Sequence, residues 1–318
     1  MVRGWLGQVL SANPARLWQS NCVKETAELL HEVFPDDLKF SNPKFLSWLY
    51  SSSPSGEVIE SNVDDEQGRI GHYAVVPQRW HYQGGSILVA LSLNTAVSER
   101  ARGLGLFTRL AAETYEAAAS KNVRFVVGVA NANSTPGFVR KLGFTLLESL
   151  DSRVVAGFAV RRPRELDIHN EAEVRSFLDE NAAAISAESF ERVWDYAEFS
   201  WRVDNPAASY RMHVIENCLV VSCRTKQFGL PVSVILKVFV GREARQPDLF
   251  RIGVALNRAM RTVVSVYGGH NNRVRTRGLR IPARFRPSPL NLIVRNLDTD
   301  STVTPRPTVM EFLDFDAY

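Results

Sequence analysis

The sequence predicts an α+β fold made of two copies of one unit, and three observations carry that prediction. A chain of 318 residues is longer than one compact domain usually holds. Its apolar residues change from an extended, strand-like run to a helical period at Ser98. A second cycle of helices, strands and a helix begins after residue 166, with short stretches that echo the first in the same order.

The first cycle reads clearly. Thr26–Phe34 carries Ala27, Leu29, Leu30 and Val33 at helical spacing and stops at Pro35; Pro43–Tyr50 is a short aromatic helix. Val58–Val63 and Gly71–Pro77 read as strands around the Asp64–Gly68 turn, and Ser86–Val97 is a long extended run. Leu106, Phe107, Leu110, Ala111, Tyr115 and Ala118 then mark an amphipathic helix that ends near Lys121–Asn122. Val123–Val129 is a buried strand, Pro136 opens a short helix that Gly143 ends, and Phe144–Leu147 returns to strand.

Residues 151–166 read as a strand and a linker. In the second cycle Glu171–Phe177 and Ala184–Val193 are expected helices. Strands are expected at Met212–Ile215, Leu219–Cys223 and Val232–Val240, a helix from Pro247 to Val263, and a strand at Thr262–Tyr267. Phe199-Ser200-Trp201 echoes Leu46-Ser47-Trp48, and Leu249-Phe250 echoes Leu106-Phe107. The expected division is residues 1–155 and 156–318.

Composition narrows the class. With 45 % hydrophobic and 23 % charged residues, there is apolar material for two cores and no disordered tail. The net charge of +4 is mild. Arg273, Arg275, Arg277, Arg280, Arg284 and Arg286 could meet an anionic ligand or form a solvated face. No zinc-finger or aromatic RNA-binding signature accompanies them, so no nucleic-acid partner is expected. Cys22, Cys218 and Cys223 cannot all pair and lack metal-ligand spacing, which favours reduced thiols. Met1–Ser20 has too short an apolar run for a signal peptide, and nothing approaches a membrane span; a cytoplasmic protein is expected.

The chemistry concentrates in Val97-Ser-Glu-Arg-Ala-Arg102-Gly103-Leu104-Gly105-Leu106-Phe107, between a strand and a helix. Closely spaced glycines let the backbone approach a ligand, and the first helical turn adds N–H donors and the positive end of the helix dipole. Such a nest holds phosphate oxygens, with charge from Arg102 or Arg100.

With this loop the chain resembles the GNAT superfamily of N-acyltransferases, whose pyrophosphate loop reads Arg/Gln-x-x-Gly-x-Gly/Ala after a valine-bearing strand. Val97, Arg102, Gly103, Gly105, Leu106 and Leu110 match the form V-x-x-x-x-R-G-x-G, with Phe107 in place of the second small loop residue. A shifted register starting at Arg100 satisfies the literal pattern but misplaces the valine. Asn131, Asn133, Ser134 and then Phe138 to Gly143-Phe144 resemble the family's later motif, so the likeness covers roughly residues 55–150. It implies two GNAT-like domains, each a mixed, mainly antiparallel sheet with flanking helices. It also implies an acetyl-CoA donor: main-chain groups near Ala96 and Val97 pair with pantetheine, and Arg102 with the Gly103, Leu104, Gly105, Leu106 and Phe107 amides holds pyrophosphate. Asn133 joins the cofactor site, and the thioester lies in a V between two splayed strands, open to direct attack by an amine.

Two features depart from the family. Many relatives use a tyrosine to protonate the leaving thiolate, and here its place is Val139. The strand Ser86–Val97 also lacks a carboxylate base. His72, Tyr73 and Asn94 are the candidates for the substrate pocket, His72 by its ordinary pKa near neutrality. In the second half, Arg245-Gln246-Pro247-Asp248 replaces the glycine loop; Pro lacks an amide donor and Asp repels phosphate, so that half is expected to pack and to line an acceptor cleft, with Trp201, Arg202 and Tyr210 as candidates. The expected function is N-acetylation of a small amine, such as an amino sugar or sugar nucleotide. The alternatives are a non-catalytic coenzyme A-binding module and an aminoacyl transferase of the peptide-bridge type.

Overall fold

The computed structural model describes residues 20–227, 229–298 and 303–315. The first unit runs α1 (Ser20–Val33), α2 (Pro43–Ser51), β1 (Ile59–Asp65), β2 (Gly68–Tyr82), β3 (Gly85–Val97), α3 (Leu106–Ser120), β4 (Val123–Ala130), α4 (Thr135–Lys141), β5 (Thr145–Ser149) and β6 (Asp151–Ala156). The second begins with β7 (Arg164–Leu166), α5 (Glu171–Ala183), β8 (Glu191–Arg192), α6 (Tyr196–Val203), β9 (Arg211–Ile215), β10 (Cys218–Gln227) and β11 (Leu230–Val240). It ends with α7 (Leu249–Met260), β12 (Val264–Asn271), β13 (Leu279–Arg280), β14 (Asn291–Asn296) and β15 (Val309–Glu311).

Two mixed sheets result. The first has the order β1-β2-β3-β4-β14-β5 with β8 beside β2; the second has β13-β6-β12-β11-β10-β9-β7 with β15 beside β12. Each contains one parallel pair, β3/β4 and β11/β12, joined by a helical crossover through α3 or α7, as parallel strands require. The predicted α+β class with two alike units therefore holds. The sheets share a core that includes Trp80, Val89, Leu91 and Phe125 from the first and Leu236 and Phe239 from the second. On the outer faces α3 and α4 cover the first sheet, and α7 covers the second.

The units exchange strands. β14 of the second unit lies between β4 and β5, and β6 of the first lies between β12 and β13. The 1–155 and 156–318 division thus follows chain order, while across it the first sheet borrows β14 and the short β8 and the second borrows β6. Removing the second unit would strip β14 from β4 and leave an unpaired edge.

The echo of Leu46-Ser47-Trp48 in Phe199-Ser200-Trp201 falls on α2 and α6, which meet at a two-fold-like contact. Trp48 Nε1 donates to the Trp201 carbonyl (2.8 Å), and Trp201 Nε1 donates back to the Trp48 carbonyl (3.2 Å). Their rings stack with centroids 5.1 Å apart. Two equivalent residues trading one interaction is what a two-fold relation produces.

Some expectations fail for local reasons. Ala184–Val193 is not a helix: Ser186 and Ser189 bond to each other (3.1 Å), and the chain then adds Glu191–Arg192 to the edge of β2 as β8. Phe190 is thereby placed 4.6 Å from the Trp80 ring centroid in the shared core. The helix expected from Pro247 starts at Leu249, capped by Asp248, which accepts from the Phe250 amide (2.9 Å).

Cys218 and Cys223 are free and buried, and burial pushes both thiols up to about 12; the Cys22 side chain lies outside the described residues, as does most of the Met1–Ser20 segment. Several arginines of the 273–286 run serve the fold: Arg273 pairs with Glu191, Arg277 with Asp248, Arg280 with Asp151, and Arg286 donates to the Ile281 and Leu150 carbonyls. No described helix is long and apolar enough to cross a membrane.

Candidate active site

The parallel ladder of β3 and β4 runs from Leu88↔Val123 to Leu91↔Val127 and stops, although the strands continue to Val97 and Ala130. The cause is on the other side of β3. His72 pairs with Ala96 and Ala74 with Leu93, so Asn94 and Thr95 together oppose Tyr73 in a bulge. Asn94 takes φ +53°, uncommon for a non-glycine residue inside a strand. A bulge bends its strand, and here β3 leaves β4 and opens a V. Among the described residues no strand fills it. Ala96 and Val97 lie on β3 beyond the opening, paired with His72 and Gly71 of β2.

The loop that follows is anchored by α1: Glu32 accepts from the Ser98 hydroxyl (2.7 Å) and the Glu99 amide (3.4 Å). Gly103 and Gly105 have φ of +86° and +73°, the left-handed region where a side chain is strained. A Cβ on either would meet nothing within 4 Å, so the space above them is open. Gly105 is the N-cap of the 15-residue α3 and brings no side chain to compete for the first-turn amides. Arg100 is held by Asp65 through two bonds (3.0 and 3.1 Å). Arg102 is exposed beside Glu99 (3.2 Å) and is the arginine placed to reach an anion. Leu104 is exposed at the loop tip.

Phe107, the departure from the loop pattern, turns its ring away from the glycines. It packs edge-on against Phe138 of α4 (5.7 Å), and a Cβ on Gly137 would come within 3.2 Å of it. Its amide stays in the helix's first turn. Asn131 and Ser134 build the β4–α4 turn through reciprocal bonds of 2.8 and 3.2 Å, with Asn133 exposed at its tip.

Val139 is partly exposed on α4 and offers no proton. The hydroxyls on this face come from other elements. Ser92, the first β3 residue past the ladder, faces Gly128 of β4. Its Oγ lies 3.1 Å from the Tyr73 hydroxyl, which also bonds the Tyr115 hydroxyl of α3. Arg295 of the exchanged β14 sits 4.5 Å from the Tyr115 ring centroid. Burial pushes Tyr73 up to about 12. No motif flagged Ser92 or Tyr115, because only the β3 bulge and the α3 packing bring them together.

His72 differs from the expected base. It is fully buried, and burial, with Arg69 adding to it, pushes its pKa down to about 3, so the imidazole is neutral at physiological pH. Asn62 Oδ1 accepts from Nδ1 (2.6 Å), which leaves Nε2 to accept from the Tyr50 hydroxyl (3.0 Å). Asn94 Nδ2 donates to the same Tyr50 oxygen (2.9 Å). Glu60 Oε2 lies 3.5 Å from His72 Nδ1, and burial raises its carboxyl to about 7. The search for a carboxylate within Ser86–Val97 could not find Glu60, which is on β1, two strands away.

The second unit repeats the opening and closes it. Its ladder ends at Ile235↔Tyr267, and β15 then pairs with β12 at Gly269↔Glu311. The Leu313 amide donates to the Leu236 carbonyl (3.0 Å), and the Phe312 ring lies where a Cβ on Gly268 would overlap it. Lys237 holds Asp314 (2.7 Å) and lies 3.5 Å from Glu311. Arg202 donates to the Leu313 carbonyl (3.2 Å) and the Tyr210 hydroxyl (3.0 Å), so these candidates and Trp201 are buried between the units. Trp201, Arg202 and Asp314 line a cavity of about 10 Å³ with Leu91 and Leu93 of β3, roughly the space for one water.

Residues 15–147 match the model of the acetyltransferase (GNAT) domain family. Over this stretch, less than half of the chain, the sequence is similar to that family. Three crystal structures share the fold over nearly the whole chain. A GCN5-related N-acetyltransferase from Anabaena variabilis aligns at 11 % identity over 90 % of this chain and 72 % of its own, with a TM-score of 0.63. A probable N-acyltransferase from Enterococcus faecalis, described as a conserved protein of unknown function, aligns at 12 % identity over 89 % and 72 %, with a TM-score of 0.61. A GCN5-related N-acetyltransferase from Kribbella flavida aligns at 13 % over 88 % and 70 %, with a TM-score of 0.59. No curated protein matches the sequence.

Proposed function

We propose that the first unit binds acetyl-CoA in the β3/β4 opening and transfers its acyl group to a primary amine by direct attack. The observation that carries this reading is the unfilled V ending at a glycine nest and the N-terminus of α3. In it Arg102 and the amides of Gly103, Leu104, Gly105, Leu106 and Phe107 hold the pyrophosphate. Main-chain groups of Ala96 and Val97 take the pantetheine amides, and Asn133 borders the site from the α4 side. The chain's contribution is placement of the two reactants and polar groups around the reacting carbonyl. Asn94 stands at the bulge on the acceptor side, with neutral His72 behind it. On the α3 side, Ser92 is the hydroxyl that borders the opening, with the buried Tyr73 hydroxyl bonded behind it.

The second unit packs against the first in this reading; Trp201, Arg202 and Tyr210, expected to line an acceptor cleft, are instead buried between the units. Its V is filled by residues 309–315, and Asp248 puts a carboxylate at the helix start. The acceptor is a small amine, with an amino sugar or sugar nucleotide preferred. Val139 in place of a tyrosine favours one rival, a module that binds coenzyme A without turnover. Thiol release from acetyl-CoA with a panel of primary amines decides between them: release supports the transferase, and its absence with every amine supports the module. Gly105→Asp places a carboxylate against the pyrophosphate and is expected to abolish coenzyme A binding while the thermal melt stays cooperative. Unchanged affinity by calorimetry would remove the site.

A further inference from the structure

We infer that residues 157–163, which join the two units, and the end of α7 form a docking surface for an anionic phospholipid membrane, with a headgroup phosphate in the cleft between them. This surface shares no residue with the β3/β4 opening. Its first mark is apolar exposure. In the stretch 157–163 (GFAVRRP) Phe158 is 60 % exposed and Val160 is 94 % exposed, and Val263, just after α7, is 42 % exposed. Single apolar residues in water are ordinary, but a group of them marks an interaction surface. Phe158 and Val263 line one cleft, and Val160 follows Phe158 by two residues.

The stretch is fastened to α7. The Ala159 amide donates to the Val254 carbonyl (3.0 Å), and Asn257 Nδ2 donates to the carbonyls of Val155 (3.2 Å) and Gly157 (2.9 Å). Asn257 Oδ1 is occupied in turn by the hydroxyls of Thr262 (3.1 Å) and Ser265 (2.7 Å). The floor of the cleft is therefore satisfied, and the exposure of Phe158 and Val160 is built in.

The second mark is charge. Arg162 of the stretch and Arg258 and Arg261 of the α7 end line the same cleft, which holds about 410 Å³. Together with Arg161 they pair with no carboxylate among the described residues, whereas Arg153, Arg164, Arg211 and Arg251 each hold one. Arg261 also stands at φ +54°, where the residue after α3 in the first unit is Asn122 at +62°. Glycine or asparagine is usual at such a helix end, so the second unit keeps an arginine at the cleft in a backbone strained for it.

Complementing the end of α7 accounts for only part of this, because a helix end carries about half a negative charge and leaves Phe158 and Val160 without a role. Guanidinium forks match phosphate oxygens. A free phosphate ester would use the arginines and leave Val160 in water. A lipid surface uses both, with phosphate in the cleft and the apolar side chains in the interfacial layer, and the two attractions together hold a protein that either alone holds weakly.

The test is co-sedimentation of the full chain with vesicles of phosphatidylcholine alone and of equimolar phosphatidylcholine and phosphatidylglycerol. Binding is expected to the second only, and to weaken as salt is raised. Arg258→Ala and Arg261→Ala should each weaken it about fivefold, the scale of one basic residue at an anionic surface. Val160→Asp should weaken it about tenfold, the scale of a valine returned to water. These positions are exposed, so the thermal midpoint should not move. Lys24→Ala on α1 removes the same charge from the first unit and should leave binding within about twofold, because separated exposed charges are screened. Loss with the arginine variants but not with Val160→Asp would place a free phosphate ester in the cleft and overturn the membrane surface. Equal loss with Lys24→Ala would reduce the effect to net charge and overturn it as well, as would a wild type that ignores the anionic vesicles. Vesicle binding is read without acetyl-CoA or an amine, so none of these results bears on the transferase reading.

Discussion

The two openings in this molecule begin alike and end differently. β3 parts from β4 after Leu91↔Val127, and β11 parts from β12 after Ile235↔Tyr267, each pair followed by a glycine on the later strand, Gly128 or Gly268. In the first unit the space beyond Gly128 is left between strands and leads to glycines at the start of α3. In the second, Glu311 to Asp314 fill it: a ladder to β12, an amide on the Leu236 carbonyl and a ring against Gly268. A splayed parallel pair leaves main-chain groups that need partners. The second unit meets that need with its own chain, and in the proposed function the first meets it with a cofactor. The helix starts follow the same division, since Gly105 leaves its amides uncovered and Asp248 caps them.

The largest expected effect breaks the closed opening. Lys237→Met removes the only cation that the structure sets against both Asp314 and Glu311 among the described residues. Leaving buried carboxylates uncompensated should cost about 3–5 kcal/mol, read as a lower thermal midpoint. Coenzyme A affinity should persist, because the loss is confined to the second opening; affinity lost in step with stability would show that the openings are not independent. A somewhat smaller effect tests the two-fold relation. Trp48→Ala and Trp201→Ala should each cost about 3 kcal/mol, and the double variant well under their sum, because both delete one shared contact. Full additivity in denaturant melts would contradict the reciprocal bonding. The smallest concerns the open site: Arg102→Ala, at an exposed position, should weaken coenzyme A binding about three- to fivefold, whereas Arg100→Ala, with its guanidinium already on Asp65, should change it less.

Much of the fold was legible because periodicity and punctuation agree. The change of period at Ser98, the proline and glycine around α4, and the order of echoes mark elements whose local preferences match the final structure. Ala184–Val193 was misread because its fate is set by the edge of β2, a partner about a hundred residues earlier in the chain. The strand exchange was invisible for the same reason, since β6 and β14 look like ordinary strands wherever they pair. The glycine loop was readable from Arg102, Gly103 and Gly105 alone, because positive φ and missing side chains are properties of the residues themselves. The polar groups around the V were not. His72 was noticed for its intrinsic pKa, which burial moves far from neutrality, and Glu60, Tyr50, Ser92 and Tyr115 come together only through the sheet and the helices on its faces.

The most direct test of the contrast between the openings is the stoichiometry of coenzyme A binding by calorimetry on the full chain. The account predicts one molecule per chain, lost in Gly105→Asp. Two molecules per chain, or one that survives Gly105→Asp, would contradict it.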